Sequence, residues 1–197
     1  KGLPTGSWTR ILQASTDYAN ELAYSLYDVK GRPIRTYTKN FLGGYTYTDS
    51  KLDFTGKPEY TTTYHKRLSG DAELKTKEVF TYSPQGRLLT QTHQIGTATP
   101  ELLVNNIYED LGQLKAKEVG AKTQKIDYSY NIRGWLTEIN KVAALQQGTD
   151  PKDLFAFKIN YNTISSGIAG VSALYNGNIA ETQWATSTDN TVRTYGY

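Results

Sequence analysis

The sequence predicts an all-β protein, a series of β-hairpins joined into one continuous antiparallel strip. Three observations carry that expectation. A five-residue motif returns five times: an aromatic residue or Leu, a polar residue, two variable residues, then Gly. Its glycines are Gly31, Gly56, Gly86, Gly112 and Gly134, at intervals of 25, 30, 26 and 22 residues. A period of roughly 20–50 residues marks stacked supersecondary units. The runs that precede these glycines alternate with period two, the signature of a strand with two different faces. Tyr is abundant, at 16 residues, and Tyr and Thr side chains suit a pleated, half-buried surface.

The elements follow in order. The first copy, Tyr27-Asp28-Val29-Lys30-Gly31, ends a run in which Leu22, Tyr24 and Leu26 share a face. The second is Leu52-Asp53-Phe54-Thr55-Gly56, and the third, Tyr82-Ser83-Pro84-Gln85-Gly86, closes the run 77–82. The fourth is Tyr108-Glu109-Asp110-Leu111-Gly112. The fifth, Tyr130-Asn131-Ile132-Arg133-Gly134, ends a run in which Ile126, Tyr128 and Tyr130 alternate with Lys125, Asp127 and Ser129. After each Gly comes a long or bulky residue (Arg32, Lys57, Arg87, Gln113, Trp135), then an apolar one (Pro33, Pro58, Leu88, Leu114, Leu136) that opens a second strand.

Each copy therefore reads as a hairpin turn. Gly supplies the positive φ of a short loop. Asp, Asn or Ser three residues earlier bonds local backbone N–H groups. The Tyr is the last residue of the incoming strand. One hairpin cannot bury its apolar face alone, so the Tyr and Leu positions of successive hairpins are expected to bury one face of a shared sheet.

The segment from about 140 to 153 interrupts the pattern. Residues 141–148 are compatible with a short helical turn, with Asn140 as N-cap and Gly148 past its end. Phe155, Phe157, Ile159 and Tyr161 then alternate along another strand. Asn176-Gly177 is the strongest short hairpin signal in the chain, and 179–185 and 192–197 read as strands. No domain boundary is visible, and 1–197 reads as one repeat region.

Composition narrows the function. With 38% hydrophobic and 21% charged residues in 197, the chain reads as globular rather than disordered. No apolar run approaches the roughly 18 residues of a transmembrane helix. Cys is absent, which excludes disulfides, Cys metal sites and a cysteine nucleophile. The net charge of +3 is spread along the chain, so no nucleic-acid partner is expected. Met is absent, even at position 1, and Thr194-Tyr195-Gly196-Tyr197 reads as the start of a further repeat. A piece of a longer protein is expected.

The repeated Tyr-Asp-x-x-Gly-Arg turns, each followed by a Leu- or Pro-led strand, resemble the YD repeats of RHS proteins. The match is closest at 24–34 and 127–140. The second of these, with 174–179 and Gly2-Leu3-Pro4-Thr5-Gly6, is similar to the RHS branch of Bacteroidetes. The resemblance implies a strip that spirals into a hollow shell. Its partners would be the rest of that shell and an enclosed C-terminal toxin domain, in a secreted or surface protein. A type 9 secretion route and a surface partner are further implications. Related surface proteins use a similar barrel for adhesion. The family's C-terminal core motif is absent. Asp150-Pro151 is the only Asp-Pro pair and lacks the Gly- and Tyr-rich sequence expected after it, so self-cleavage does not carry over.

No catalytic, cofactor or metal site is expected. No Gly-x-Ser-x-Gly elbow, P-loop or Gly-x-Gly-x-x-Gly occurs. His65 and His93, the only histidines, read as outward strand positions. Asp28, Asp53, Glu109 and Asn131 read as turn-formers rather than a Ca²⁺ row, because Ca²⁺ needs six or more converging oxygens. The residues singled out are structural: Tyr27, Asp28, Gly31, Asp53, Gly56, Tyr82, Gly86, Tyr108, Gly112, Tyr130, Asn131, Gly134, Asn176 and Gly177. An exposed cluster of Trp8, Trp135 or Trp184 would instead favour an adhesive or glycan-binding surface.

Overall fold

The computed structural model describes residues 2–12 and 19–197. The chain divides into two units, Lys1–Leu102 and Leu103–Tyr197. The described residues contain fourteen strands and no helix, so no helix is long and apolar enough to cross a membrane.

The first unit holds β1 (Gly6–Arg10), β2 (Asn20–Tyr27), β3 (Pro33–Lys39), β4 (Gly43–Leu52), β5 (Pro58–Leu68), β6 (Leu74–Tyr82) and β7 (Leu88–Ile95). Consecutive strands pair antiparallel throughout. The division falls within β8 (Glu101–Tyr108). The second unit continues with β9 (Leu114–Val119), β10 (Gln124–Tyr130), β11 (Leu136–Ile139), β12 (Phe155–Asn160), β13 (Glu181–Thr186) and β14 (Arg193–Gly196). From β8 onward each strand again pairs antiparallel with its successor.

The five motif copies form the β2/β3, β4/β5, β6/β7, β8/β9 and β10/β11 hairpins. They share one geometry. The first motif residue pairs with the second residue after Gly, as in Tyr27 with Pro33 and Tyr82 with Leu88, and the register shifts there. In the first copy the Asp28 N–H donates to the Arg32 carbonyl at 2.9 Å, and the Gly31 N–H donates to the Asp28 carbonyl at 2.9 Å. The same two bonds recur in the other four copies. This is a type I turn closed by a left-handed residue, the three-residue hairpin loop. The five glycines have φ between 75° and 99°, a region closed to most side chains.

In the first unit the expected burial of one face does not occur. Every buried hydrophobic residue among those described lies at Ala116 or beyond. Leu22 and Leu26 stay exposed at 36% and 48%. The first unit is a sheet with both faces open, held by its ladder hydrogen bonds and by side-chain contacts along each face.

The second unit has a small core, and the segment 140–153 makes it. That segment is a chain of turns, not the helical turn its spacing suggested. Asn140 does not cap a helix. Its backbone lies at φ 55°, and its side chain bridges two strands, accepting from the Asp127 N–H and donating to the Phe155 carbonyl, both at 2.8 Å. Val142 and Leu145 then cluster with Ala156 and Ala185, which pair directly across β12 and β13. Small residues on the strands leave room for the larger side chains of the covering loop. Burying a Val or Leu contributes about 1.5–3 kcal/mol.

Asn176-Gly177 is not a two-residue hairpin. It lies inside the long connection 161–180 between β12 and β13. The base of that connection is closed by the Leu174 N–H on the Tyr161 carbonyl and the Ala180 N–H on the Asn160 carbonyl, both 2.9 Å. The interior of the connection is held by a buried carboxylate. Glu181 is 0% exposed and accepts from the Asn160 side chain (2.5 Å), the Ser165 N–H (2.9 Å), the Ser165 hydroxyl (2.8 Å) and the Ser166 N–H (3.2 Å).

Candidate functional site

The predicted site residues form rows of turns, and the turns are fastened to one another. Within four of the five turns the polar side chain folds onto its own backbone. Asp28 Oδ1 accepts from the Lys30 and Arg32 N–H groups at 2.9 Å. Asp53 Oδ1 accepts from Thr55 (2.8 Å) and Lys57 (2.9 Å), and Asn131 Oδ1 from Arg133 (2.9 Å) and Trp135 (3.0 Å). The Arg32 N–H bond chiefly holds the Asp28 carboxyl below the usual carboxylate range, although burial opposes it. Asp53 is held low as well, first by the Thr55 hydroxyl. Both Asp28 oxygens and Asp53 Oδ1 are thus committed to their own loops. Ser83 makes the same contact more weakly, at 3.2 Å to the Arg87 N–H. Glu109 departs from the set. It is one methylene longer, and its Oε1 is buried with no hydrogen-bond partner.

In four of the five copies the residue after Gly reaches the next turn. Arg32 Nη1 donates to the carbonyls of Asp53 (3.0 Å) and Phe54 (3.3 Å). Lys57 Nζ donates to the Gly86 carbonyl at 2.7 Å while lying 5.4 Å from the Tyr82 ring centre. In the second unit Gln113 Nε2 donates to the Gly134 carbonyl at 2.8 Å. Trp135 uses its ring instead of a donor, and lies so close to Gly177 that an added Cβ would come within 2.9 Å of it. Leu3, after Gly2, sits against Gly31 in the same way, 3.2 Å from where a Cβ would be.

Three of the motif tyrosines tie back the other way. Tyr82 Oη donates to the Pro58 carbonyl (3.0 Å), Tyr130 Oη to the Leu114 carbonyl (3.0 Å) and Tyr27 Oη to the Pro4 carbonyl (2.7 Å). Tyr161, outside the five copies, repeats this on Leu136 at 3.1 Å. Tyr108 ends β8, and Gly112 closes its turn at φ 88°. Asn176 Oδ1 accepts from the Asn178 N–H at 3.0 Å, and Gly177 has φ 93°.

Register in the first unit builds a surface that the linear sequence hides. Tyr24, Tyr37, Tyr47 and Tyr64 stand directly opposite one another across β2–β5, and Lys75 of β6 continues the row. Successive ring centres are 4.7 Å (Tyr24–Tyr37), 6.4 Å (Tyr37–Tyr47) and 4.5 Å (Tyr47–Tyr64) apart, all stacked. Tyr45 joins the stack at 5.8 Å from Tyr47. Lys39 and Lys66 flank Tyr45, and Lys77 lies opposite Thr62 on the same face. The other face is threonine-rich: Thr36, Thr48, Thr63 and Thr76 form one row across β3–β6. Lys39, Lys66, Lys75 and Lys77, apart in sequence, are therefore gathered by strand alternation onto one face.

His65 lies on the threonine face, its Nδ1 2.7 Å from the Thr46 hydroxyl, and His93 pairs opposite Glu78. No group of three or more potential metal-binding side chains occurs among the described residues. Trp8 is 58% exposed. Trp184 lies under the Arg193 guanidinium at 4.7 Å. Trp135 carries Arg133 at 5.2 Å and packs on Tyr161 at 5.3 Å. Trp135 and Tyr161, with Tyr175, wall a cleft of about 180 Å³, and Tyr175 itself is 76% exposed.

No protein-family model matches the chain, and no curated protein matches it. Among solved structures, a crystal structure of TcdB2-TccC3-Cdc42 is similar at 12% identity and a TM-score of 0.42, over 92% of this chain and 10% of that one. A Photorhabdus luminescens Tc holotoxin pore carrying a TccC3 mutation is similar at 12% identity and a TM-score of 0.45, over 90% of this chain and 10% of that one. The chain thus spans about a tenth of the length of the solved chains it matches.

Proposed function

We propose that this chain is a non-enzymatic structural segment of an RHS-repeat shell in a secreted or surface bacterial protein, and that the shell encloses and protects a C-terminal toxin or effector domain. The observation that carries this reading is the tier-to-tier fastening, in which the post-glycine side chains Arg32, Lys57, Gln113 and Trp135 hold the next turn, as Lys57 holds Gly86. Such a strip grows by adding tiers rather than by enlarging a core, and the first unit has no buried hydrophobic residue among those described. A wall with two wet faces suits that construction. It acts by excluding volume and proteases from what it surrounds. For a Bacteroidetes parent, export through the type 9 system belongs to the same reading. The test is protease protection of the parent protein's C-terminal domain. Survival inside the intact parent, with rapid digestion of the same domain alone, is expected. Equal digestion rates would reject the proposal.

A second reading, a scaffold that adheres to a partner or glycan, draws on the cleft at Trp135 and on exposed Tyr175. Amphipathic rings with one wet face recur at interaction surfaces. Loss of cell or glycan adhesion on Tyr175→Ala, with protease protection unchanged, would favour it.

A further inference from the structure

We infer that the tyrosine–lysine face of β2–β6 is a docking surface for an acidic polypeptide segment in extended conformation. Charge is unbalanced on that face. Lys39, Lys66, Lys75 and Lys77 share it with Arg35. The acids there are already engaged: Asp49 pairs with Arg35 through both carboxylate oxygens, and Glu73 accepts from the Tyr45 hydroxyl. The four lysines thus present a net positive surface, which draws an anionic partner.

The form of the surface selects a polypeptide. The tyrosine rings stack on one another, so their faces are taken, whereas single-stranded nucleic acid needs free faces for base stacking. Two lysines are fixed over rings, Lys75 5.4 Å from the Tyr64 centre and Lys77 5.0 Å from the Tyr60 centre. Lys75 and Lys77 are alternate residues of one strand, about 6.6–6.8 Å apart at the backbone. Alternate side chains of an extended acidic segment have the same spacing. The lysine face is set by strand register alone, whether or not the strip closes into a shell.

The test is calorimetric titration of the chain with poly-L-glutamate, with poly-L-lysine and an oligothymidylate as comparisons. Poly-L-glutamate is expected to bind at low ionic strength and to weaken by about tenfold or more at high salt, as exposed charge pairs are screened. Lys39→Gln, Lys66→Gln, Lys75→Gln and Lys77→Gln together should abolish the binding, and Lys75→Gln with Lys77→Gln should weaken it even if the quadruple variant folds poorly. Gln at Lys115, Lys117, Lys152 and Lys158 should leave it unchanged. No binding at low salt, equal loss in the second set, or oligothymidylate binding as tight as poly-L-glutamate would overturn the inference.

Discussion

Lys57 Nζ and the Gly86 carbonyl oxygen are 2.7 Å apart although 29 residues separate them in sequence. That bond fastens the second turn to the third. Lys57→Ala is expected to lower stability by about 1 kcal/mol, the net value of one hydrogen bond. The midpoint of urea unfolding measures it. An unchanged midpoint would mean that the turns stand independently.

Gly86 and Gly134 have φ of 77° and 78°. Val at either position should destabilise by more than about 1 kcal/mol, because a β-branched residue is strained at positive φ. Gly70 is the control, since it lies outside the positive-φ set and an added Cβ there meets nothing within 4 Å. Gly70→Val should change the unfolding midpoint little. Equal effects at all three would refute the turn assignment.

The hairpins on this row were legible in sequence because one turn geometry imposes one spacing of polar residue and Gly. The opposite row was not. Asn40-Phe41-Leu42-Gly43 is the same turn, with the Asn40 N–H on the Gly44 carbonyl at 3.0 Å and Gly43 at φ 84°. Lys39 rather than an aromatic residue precedes it, so the motif does not flag it. The long residue after each Gly was visible, but the partners of Arg32, Lys57 and Gln113 lie a full repeat away. Residues 141–148 have helix-compatible spacing, yet the covering of Ala156 and Ala185 decides their conformation. The lysine face emerges only once register is known.

Glu109 stands where Asp28, Asp53 and Asn131 bond their own loops, and its Oε1 is buried without a partner. Glu109→Asp shortens the side chain to the reach used in the other copies. It is expected to stabilise the protein by about 0.5–1.5 kcal/mol, the worth of a regained hydrogen bond. Thermal melting would show the increase, and a loss of stability would contradict the equivalence of the turns.

Asn140 joins Asp127 to Phe155 through its side chain and adopts φ 55°. Asn140→Gly tolerates that backbone but loses both side-chain bonds, and should cost about 1–3 kcal/mol. Asn140→Ala adds backbone strain and should cost more. The ranking of the two denaturant midpoints checks this.

Two buried carboxyls give opposite pH dependences. Burial raises the Glu181 carboxyl, but hydrogen bonds from Ser166, Ser165 and Asn160 outweigh it and leave it at about 2, against 4.5 ordinarily. Its contribution is full above about 4.5 and is lost as pH falls toward 2. Asp153 is pushed up to about 6 from 3.8, first by burial and then by Asp127 and Asp150. Its contribution is full below about 3.8 and is lost as pH rises through 6. Asp153→Asn should therefore stabilise the protein at pH 7 by about 1–3 kcal/mol and flatten the melting profile between those two values. Glu181→Gln should destabilise at pH 7 and flatten the acid limb. A melting profile unchanged by Asp153→Asn would contradict the burial of that carboxylate.

Cryo-electron microscopy of the intact parent protein tests the shell reading most directly. This strip is expected to form part of the wall of a closed, hollow shell with density inside it. An open or solid sheet enclosing nothing would contradict it.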